Sequence, residues 1–239
     1  MPDPKKIQLQ RYADGTPSIL RKAAVYQTFY FYQKSDVLVE LTKVFCERFL
    51  PKYGDRTVDQ MVQAARSIKQ NIAEGCTDGQ TSVETEIKLL GIARGSNKEL
   101  LEDYKDYIRH HGISEWAKSN KERFKRLREF AAVHNEVEAY QPYLQRWTDE
   151  EMANCALCLC HMVDKAMSSF IAKKDREFVE QGGIRERMTA ARLDRRGTQN
   201  EIIAAQAHEI EALKARIASL ECELAALRGA APGPSGNPG

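Results

Sequence analysis

Arg66-Ser67-Ile68-Lys69-Gln70-Asn71-Ile72-Ala73-Glu74-Gly75, followed about twenty positions later by Ile92-Ala93-Arg94-Gly95-Ser96, decides the architecture of this chain. Apolar residues three and four apart read as amphipathic helices in both blocks. Both blocks also set polar residues, Asn71, Glu74 and Arg94, on or beside the apolar stripe. An unpaired charge buried there costs on the order of several kcal/mol, so these side chains need partners. The expected arrangement has Glu74, at the C-terminal end of one helix, meeting Arg94 on the next, with Asn71 completing the network.

The helical pattern extends outward from these blocks. Thr57 with Gln60 reads as a capping box opening the Asn71 helix, whose Val58, Met61, Ala65, Ile68 and Ile72 lead to Gly75. Upstream, a long first helix is expected from the Pro/Gly-punctuated start near Ser18 to about Leu50. Leu38, Leu41, Phe45 and Phe49 form its stripe, Phe29, Tyr30, Val37 and Val44 widen it, and Pro51 and Gly54 stop it. Downstream, Thr81 with Glu84 is expected to cap a third helix with the stripe Ile87, Leu90, Arg94, Asn97, Leu101, Tyr104 and Ile108, ending at Gly112. Gly91 and Gly95 lie one turn apart on it and cost roughly 1 kcal/mol each against alanine. A close helix crossing at that level would compensate. After a partly helical, aromatic-rich excursion, Thr148 with Glu151 caps a fourth helix through Met152, Ala156, Leu159, Val163, Ala166 and Phe170. The fold class is therefore all-α, an up-and-down four-helix bundle with a helical excursion before its fourth helix.

The N-I-A-E-G helix end followed by the I-A-R-G-S helix resembles a four-helix-bundle family that includes the ribosomal-RNA intervening-sequence proteins and the Avd accessory proteins of diversity-generating retroelements. The likeness runs from about Tyr26 to Gly112, is weaker from Glu150 to about Lys174, and is absent at both ends. It implies a bundle assembling as a ring, usually a pentamer, and it brings no catalytic residues. From the Avd branch it implies an accessory role beside a reverse transcriptase and its RNA. The excursion, about residues 114–149, is an addition that shorter members of the family are expected to lack.

Gly182-Gly183 separates the bundle, residues 23–181, from a tail of different character; residues 1–22 form an N-terminal extension. Within residues 184–228 the apolar positions Ile203, Ile210, Leu213, Ile217, Leu220, Leu224 and Leu227 alternate three and four apart. This is a heptad with Ile203, Ile210, Ile217 and Leu224 at a, and mostly Ile at a with Leu at d favours a parallel two-stranded coil. In that pairing Glu209 faces Lys214, Arg216 faces Glu221 and Glu223 faces Arg228, all opposite in sign, whereas antiparallel pairing sets Glu209 against Glu223. Gln206 at a d position and the shortness of the repeat leave the coil dependent on tethering. Residues 229–239, rich in Ala, Pro and Gly, read as a disordered tail. A ring of five and a two-stranded coil do not share symmetry. Either the body is not a pentamer, or the coils pair between rings, or the coil serves another protein.

The 36 basic and 34 acidic residues among 239 leave a formal charge of +2, so nucleic-acid binding would need a local patch rather than a global field. No continuous apolar run approaches the roughly 18 residues that span a bilayer, and the first ten residues are polar. A cytoplasmic protein without membrane contact is expected. The 6 cysteines are too few for a disulfide scaffold, and reduced thiols fit that compartment.

Few groupings carry chemistry. Cys155, Cys158 and His161 recur three apart and could offer zinc ligands, but a structural zinc wants four, and these sit among Ala156, Leu157 and Leu159, where small buried packing residues are the favoured reading. His110 and His111 suit a helix C-terminus. No histidine follows a glutamate by three positions, and no phosphate-cradling glycine loop or nucleophile elbow occurs, so no cofactor and no enzymatic activity are expected. The strongest polyanion candidate is Lys118, Lys121, Arg123, Lys125, Arg126 and Arg128, with Phe124 and Trp116 interleaved and only Glu122 and Glu129 nearby. A solvated helix face is the competing reading. The function expected is a non-catalytic homo-oligomeric accessory protein holding a nucleic-acid enzyme such as a reverse transcriptase, or its RNA or DNA; the alternative is an adaptor with no nucleic-acid contact whose coil recruits a partner.

Overall fold

The computed structural model describes residues 7–51 and 56–229; Gly54 and the tail beyond residue 229 lie outside them, as do the first six residues of the N-terminal extension. A short antiparallel hairpin, β1 (Gln10–Arg11) with β2 (Pro17–Ser18), precedes α1 (Tyr30–Phe49), α2 (Arg56–Asp78) and α3 (Val83–His110). The excursion holds α4 (Trp116–Ser119), α5 (Lys121–Val133) and α6 (Gln141–Leu144), and the chain closes with α7 (Asp149–Gln181) and α8 (Ile184–Gly229).

Four helices pack in cyclic order, α1 on α2, α2 on α3, α3 on α7 and α7 on α1. Contacts at the ends give the directions. Gly75, late in α2, lies against Leu89, early in α3. Glu86 at the start of α3 meets Lys174 late in α7, while Tyr107 at the end of α3 donates to Asp149 at the start of α7. Phe31, early in α1, packs on Phe170, and Arg48, late in α1, reaches Met152. The fully buried core includes Leu38, Leu41, Phe45, Ile68, Leu90 and Tyr104, whose hydroxyl donates to Thr42 Oγ1 at 3.0 Å across the bundle.

Several helix ends differ from the sequence expectation, each for a local reason. α1 starts only at Tyr30, because the chain before it forms the hairpin and a turn of 3-10 helix, Tyr26–Thr28. α2 continues past Gly75 to Asp78, so this glycine is a buried interior position rather than a terminator. α3 is capped by Ser82, whose hydroxyl accepts from Thr85 N at 3.1 Å; the Thr81 hydroxyl is turned back to donate to the Asp78 carbonyl. The buried face of α3 is consequently Val83, Glu86, Leu90, Ala93, Asn97, Leu100 and Tyr104, with Arg94 on its flank. The fourth helix keeps its expected capping box: Thr148 accepts from Glu151 N and Glu151 accepts from Thr148 N.

The glycine pair is a clear correction. Gly91 and Gly95 are exposed, and a Cβ on either would meet nothing within 4 Å. The close crossing is instead at Gly75, where a Cβ would lie 3.2 Å from Leu89 Cβ and 3.3 Å from the Glu86 carbonyl. A 3.6-residue period does not say which of two adjacent stripes turns inward, and rotation of α3 carries Gly91 and Gly95 to its outer face.

α7 is buried on all sides over residues 152–160, which its two bundle neighbours cannot achieve alone. The excursion supplies the remaining cover, with Leu127 and Ala131 of α5 buried and Trp116 and Tyr140 enclosed. Phe130, Tyr140, Tyr143 and Trp147 form an aromatic cluster over it, with ring centroids about 5 to 6.5 Å apart. One window in the helical run Asp149–Ala226 is long and apolar enough to cross a membrane by composition, departing from the expectation of no such segment; 44% of it is buried. Much of the apolar character of this run is the part of α7 that faces the core.

Gly182, at φ +66°, turns the chain from α7 into α8. The N-terminal segment then straps α8 down. Arg187 donates to the carbonyls of Ile19 and Leu20 at 2.9 and 3.2 Å, Arg21 bridges Glu177 and the Gly182 carbonyl, and Arg11 pairs with Asp194 at 2.8 Å.

Glycine replacements separate the two levels. Gly91→Ala and Gly95→Ala are expected to raise stability by roughly 0.5 to 1 kcal/mol each, since exposed helix interiors favour alanine. Gly75→Val is expected to lower it by about 1 to 3 kcal/mol through overpacking. Urea unfolding of the three variants measures the contrast.

Candidate nucleic-acid and assembly surfaces

α5 is amphipathic in the plain sense: Phe124, Leu127 and Ala131 recur three and four apart and turn towards the bundle, which forces the residues between them outward. Lys118, Lys121, Arg123, Lys125, Arg126 and Arg128 are all exposed. Their surroundings differ. Lys118 pairs with Glu115 at 2.6 Å, Arg126 with Glu122 at 3.5 Å, and Arg123 stands 4.0 Å from Glu150 and stacks over Trp116. Lys121, Lys125 and Arg128 have no ion-pair partner among the described residues and recur at helical spacing on one solvent-facing stripe.

The helix is anchored from below by Lys34, a residue that sequence pattern alone places among the solvated positions of α1. Its side chain is fully buried, and Nζ donates to the carbonyls of Ala131 and His134 at the C-terminal end of α5. These carbonyls lack helical partners, so the ammonium satisfies them, sharing that of His134 with the Tyr140 hydroxyl, and meets the negative end of the helix dipole. Burial nevertheless pushes the Lys34 pKa down to about 8 from the ordinary 10.5. Asn154 does comparable work at the other end of the excursion, accepting from Trp116 N at 2.8 Å and donating to the Ser114 carbonyl at 3.0 Å.

The expected Asn71–Glu74–Arg94 network does not form. Arg94 Nε pairs with Asp164 of α7 at 2.8 Å, and Glu74 is exposed at the rim. Asn71 donates to Ser67 on its own helix, whose hydroxyl shares a 2.9 Å hydrogen bond with Ser96 of α3. The same rotation that exposes Gly91 and Gly95 swings Arg94 away from α2 and towards α7. The buried ion pair between neighbouring helices is another one, Glu86 with Lys174 at 3.0 Å, and burial raises the Glu86 pKa despite the ammonium. Beside Ser67 and Ser96, Asp59, Glu99 and Asp103 line an acidic groove of about 650 Å3 between α2 and α3, a poor place for phosphates.

Cys155 and Cys158 are buried while His161, on the same helix, is exposed, so the three do not converge. Burial pushes the Cys158 thiol up to about 11 and Cys155 well above its ordinary value, which opposes thiolate ligation. No group of three His, Cys, Asp or Glu side chains is arranged to hold a metal among the described residues. His111 stacks on Tyr107 with Nδ1 2.9 Å from its carbonyl, at the end of α3.

On α8 the heptad positions Ile203, Ile210, Leu213, Ile217, Leu220 and Leu224 are exposed by 42 to 57%, an apolar seam that is uncovered among the described residues. Leu227 continues the helix, but its side chain and that of Arg228 lie outside the described residues.

Residues 27–130 match the family of 23S rRNA-intervening sequence proteins. No curated protein and no solved structure matches the chain. The intervening-sequence pattern spans α1, α2, α3 and α4 and ends within α5, beyond the Gly112 limit read from the motifs. Most of the cationic helix therefore lies inside the matched span. The match includes Asn71, Arg94 and the six cations and leaves out the N-terminal strap, α7 and α8.

Two replacements test this geometry. Arg94→Met is expected to change stability by less than about 1 kcal/mol, as for an exposed ion pair. For Lys34 the folded pKa lies below the unfolded one, so the unfolded chain carries the extra proton between about 8 and 10.5, and stability contributed by this group rises with pH over that window. Against Lys34→Met, the parent is expected to gain relative stability from pH 7.5 to about 10, read by urea unfolding.

Proposed function

We propose that the protein is a non-catalytic, homo-oligomeric accessory protein whose α4–α5 face holds nucleic acid, and with it a nucleic-acid enzyme such as a reverse transcriptase. The observation that carries this reading is the unopposed stripe Lys121, Lys125 and Arg128 on a helix rigidly fastened to the bundle. Cations held on a fixed helix release phosphate counterions on binding without reordering the backbone first. Trp116, beneath the Arg123 guanidinium, keeps that cation oriented at the rim of the face. The similarity to 23S rRNA-intervening sequence proteins over residues 27–130 supports the same class of function. A cytoplasmic setting fits free cysteines, buried except for the exposed Cys222.

The exposed seam of α8 favours a second reading, an adaptor in which bundle and coil multimerise a protein partner without nucleic acid. The two readings part on salt. With RNA as probe, the parent is expected to bind with steep salt dependence, and Lys121→Gln with Lys125→Gln and Arg128→Gln is expected to flatten the slope of log affinity on log salt by roughly 2. Fluorescence anisotropy across a salt series measures it; salt-insensitive or absent binding selects the adaptor. Native mass spectrometry with and without nuclease reports copy number, for which the family likeness implies a pentamer.

A further inference from the structure

The heptad phase of α8 can be followed backwards from the apolar seam. Stepping by sevens from Ile203 at a leads to Arg196, and from Gln206 at d to Gln199, Arg192 and Arg185. The stripe that is mostly isoleucine and leucine from Ile203 onward is thus arginine at three of the four positions below Gln199, Thr189 being the fourth. Arg185, Arg192 and Arg196 have no ion-pair partner among the described residues, and Arg192 and Arg196 are exposed together with Arg195 on the flank. The opposite face of the same stretch is occupied: Arg187 and Ala190 are buried, and Asp194 is held by Arg11. Arg187, Ala190 and Asp194 turn to the strap and bundle, and Thr16, Pro17 and Ile19 of the strap also flank Arg192, Arg195 and Arg196 along a groove, so the arginine stripe has the strap along one edge while its other edge faces the way the seam looks.

We propose that two copies pair in parallel along the α8 seam and fork below Gln199, and that Arg185, Arg192 and Arg196 of both helices grip the backbone of a double-stranded DNA in the fork. A second copy is the occupant of the seam because Glu209 then faces Lys214 and Arg216 faces Glu221, each opposite in sign. The same register sets Arg196 against Arg196 and Arg192 against Arg192, like charges at successive core layers that a closed coil cannot hold. The helices must part there. Parting costs no bundle contact, since each bundle lies outside the fork. Arg185 to Arg196 spans about 16 Å of helix at 1.5 Å per residue. The B-form major groove, about 12 Å wide, admits such a helix, whereas the A-form groove of RNA does not.

This inference does not rest on the α4–α5 reading, and the variants keep the two apart. Full-length chain is titrated with a DNA duplex and an RNA duplex of the same sequence at several salt concentrations. Arg185→Gln with Arg192→Gln and Arg196→Gln is expected to weaken DNA binding at least tenfold and flatten its salt slope. Ile210→Asp with Ile217→Asp, which breaks the seam, is expected to do the same, and Lys121→Gln with Lys125→Gln and Arg128→Gln is expected to preserve this component. Arg192→Leu with Arg196→Leu is expected to tighten self-association at least tenfold by turning fork into seam, read by analytical ultracentrifugation. Parental DNA affinity in the arginine or seam variant, tighter binding of the RNA duplex, or unchanged self-association in the leucine variant would overturn the proposal.

Discussion

The structure depends on the complete burial of α7 between Met152 and Cys160. A helix apolar on every face must be covered on every face, and two bundle neighbours leave its outer side in water. The excursion answers that demand. α5 turns Leu127 and Ala131 onto α7, the aromatic cluster seals the end, and the polar consequences are met by two buried side chains, Lys34 under the α5 carbonyls and Asn154 under the Trp116 turn. The position of the cationic stripe follows from the same packing, because a helix that buries Leu127 and Ala131 must present Lys121, Lys125 and Arg128 to solvent.

The second organising contact lies at the opposite end of the bundle. Arg187, Arg21 and Arg11 tie the N-terminal segment, the end of α7 and the start of α8 together through carbonyl and carboxylate partners. Guanidinium groups suit this work because their planar forks satisfy several acceptors at fixed angles. The strap fastens the first turns of α8 to the body, and farther along the helix the apolar seam from Ile203 to Leu224 is exposed.

How much was legible from the residues alone varies by element. The capping box at Thr148 and Glu151 and the break at Gly182 are local signals, each carried by neighbours in sequence, and the structure has both where the sequence puts them. Arg94 and Gly91 failed together and for one reason: a rotation of α3 by a fraction of a turn changes which stripe is inside, and the apolar period tolerates either. Glu86 with Lys174 was hidden because its halves are 88 positions apart and each looks like an ordinary surface charge.

By itself the sequence determined that the chain is helical, where α1 ends and where α7 begins and ends, and that α8 carries an apolar stripe at heptad spacing, since propensity, capping and periodicity act over a few residues. Only the tertiary structure decided which charges are buried, which glycine allows helices to approach, and that α5 rides on α7 with its cations outward. Those outcomes depend on contacts between residues far apart in the chain, and such contacts exist only once the helices have chosen their rotation.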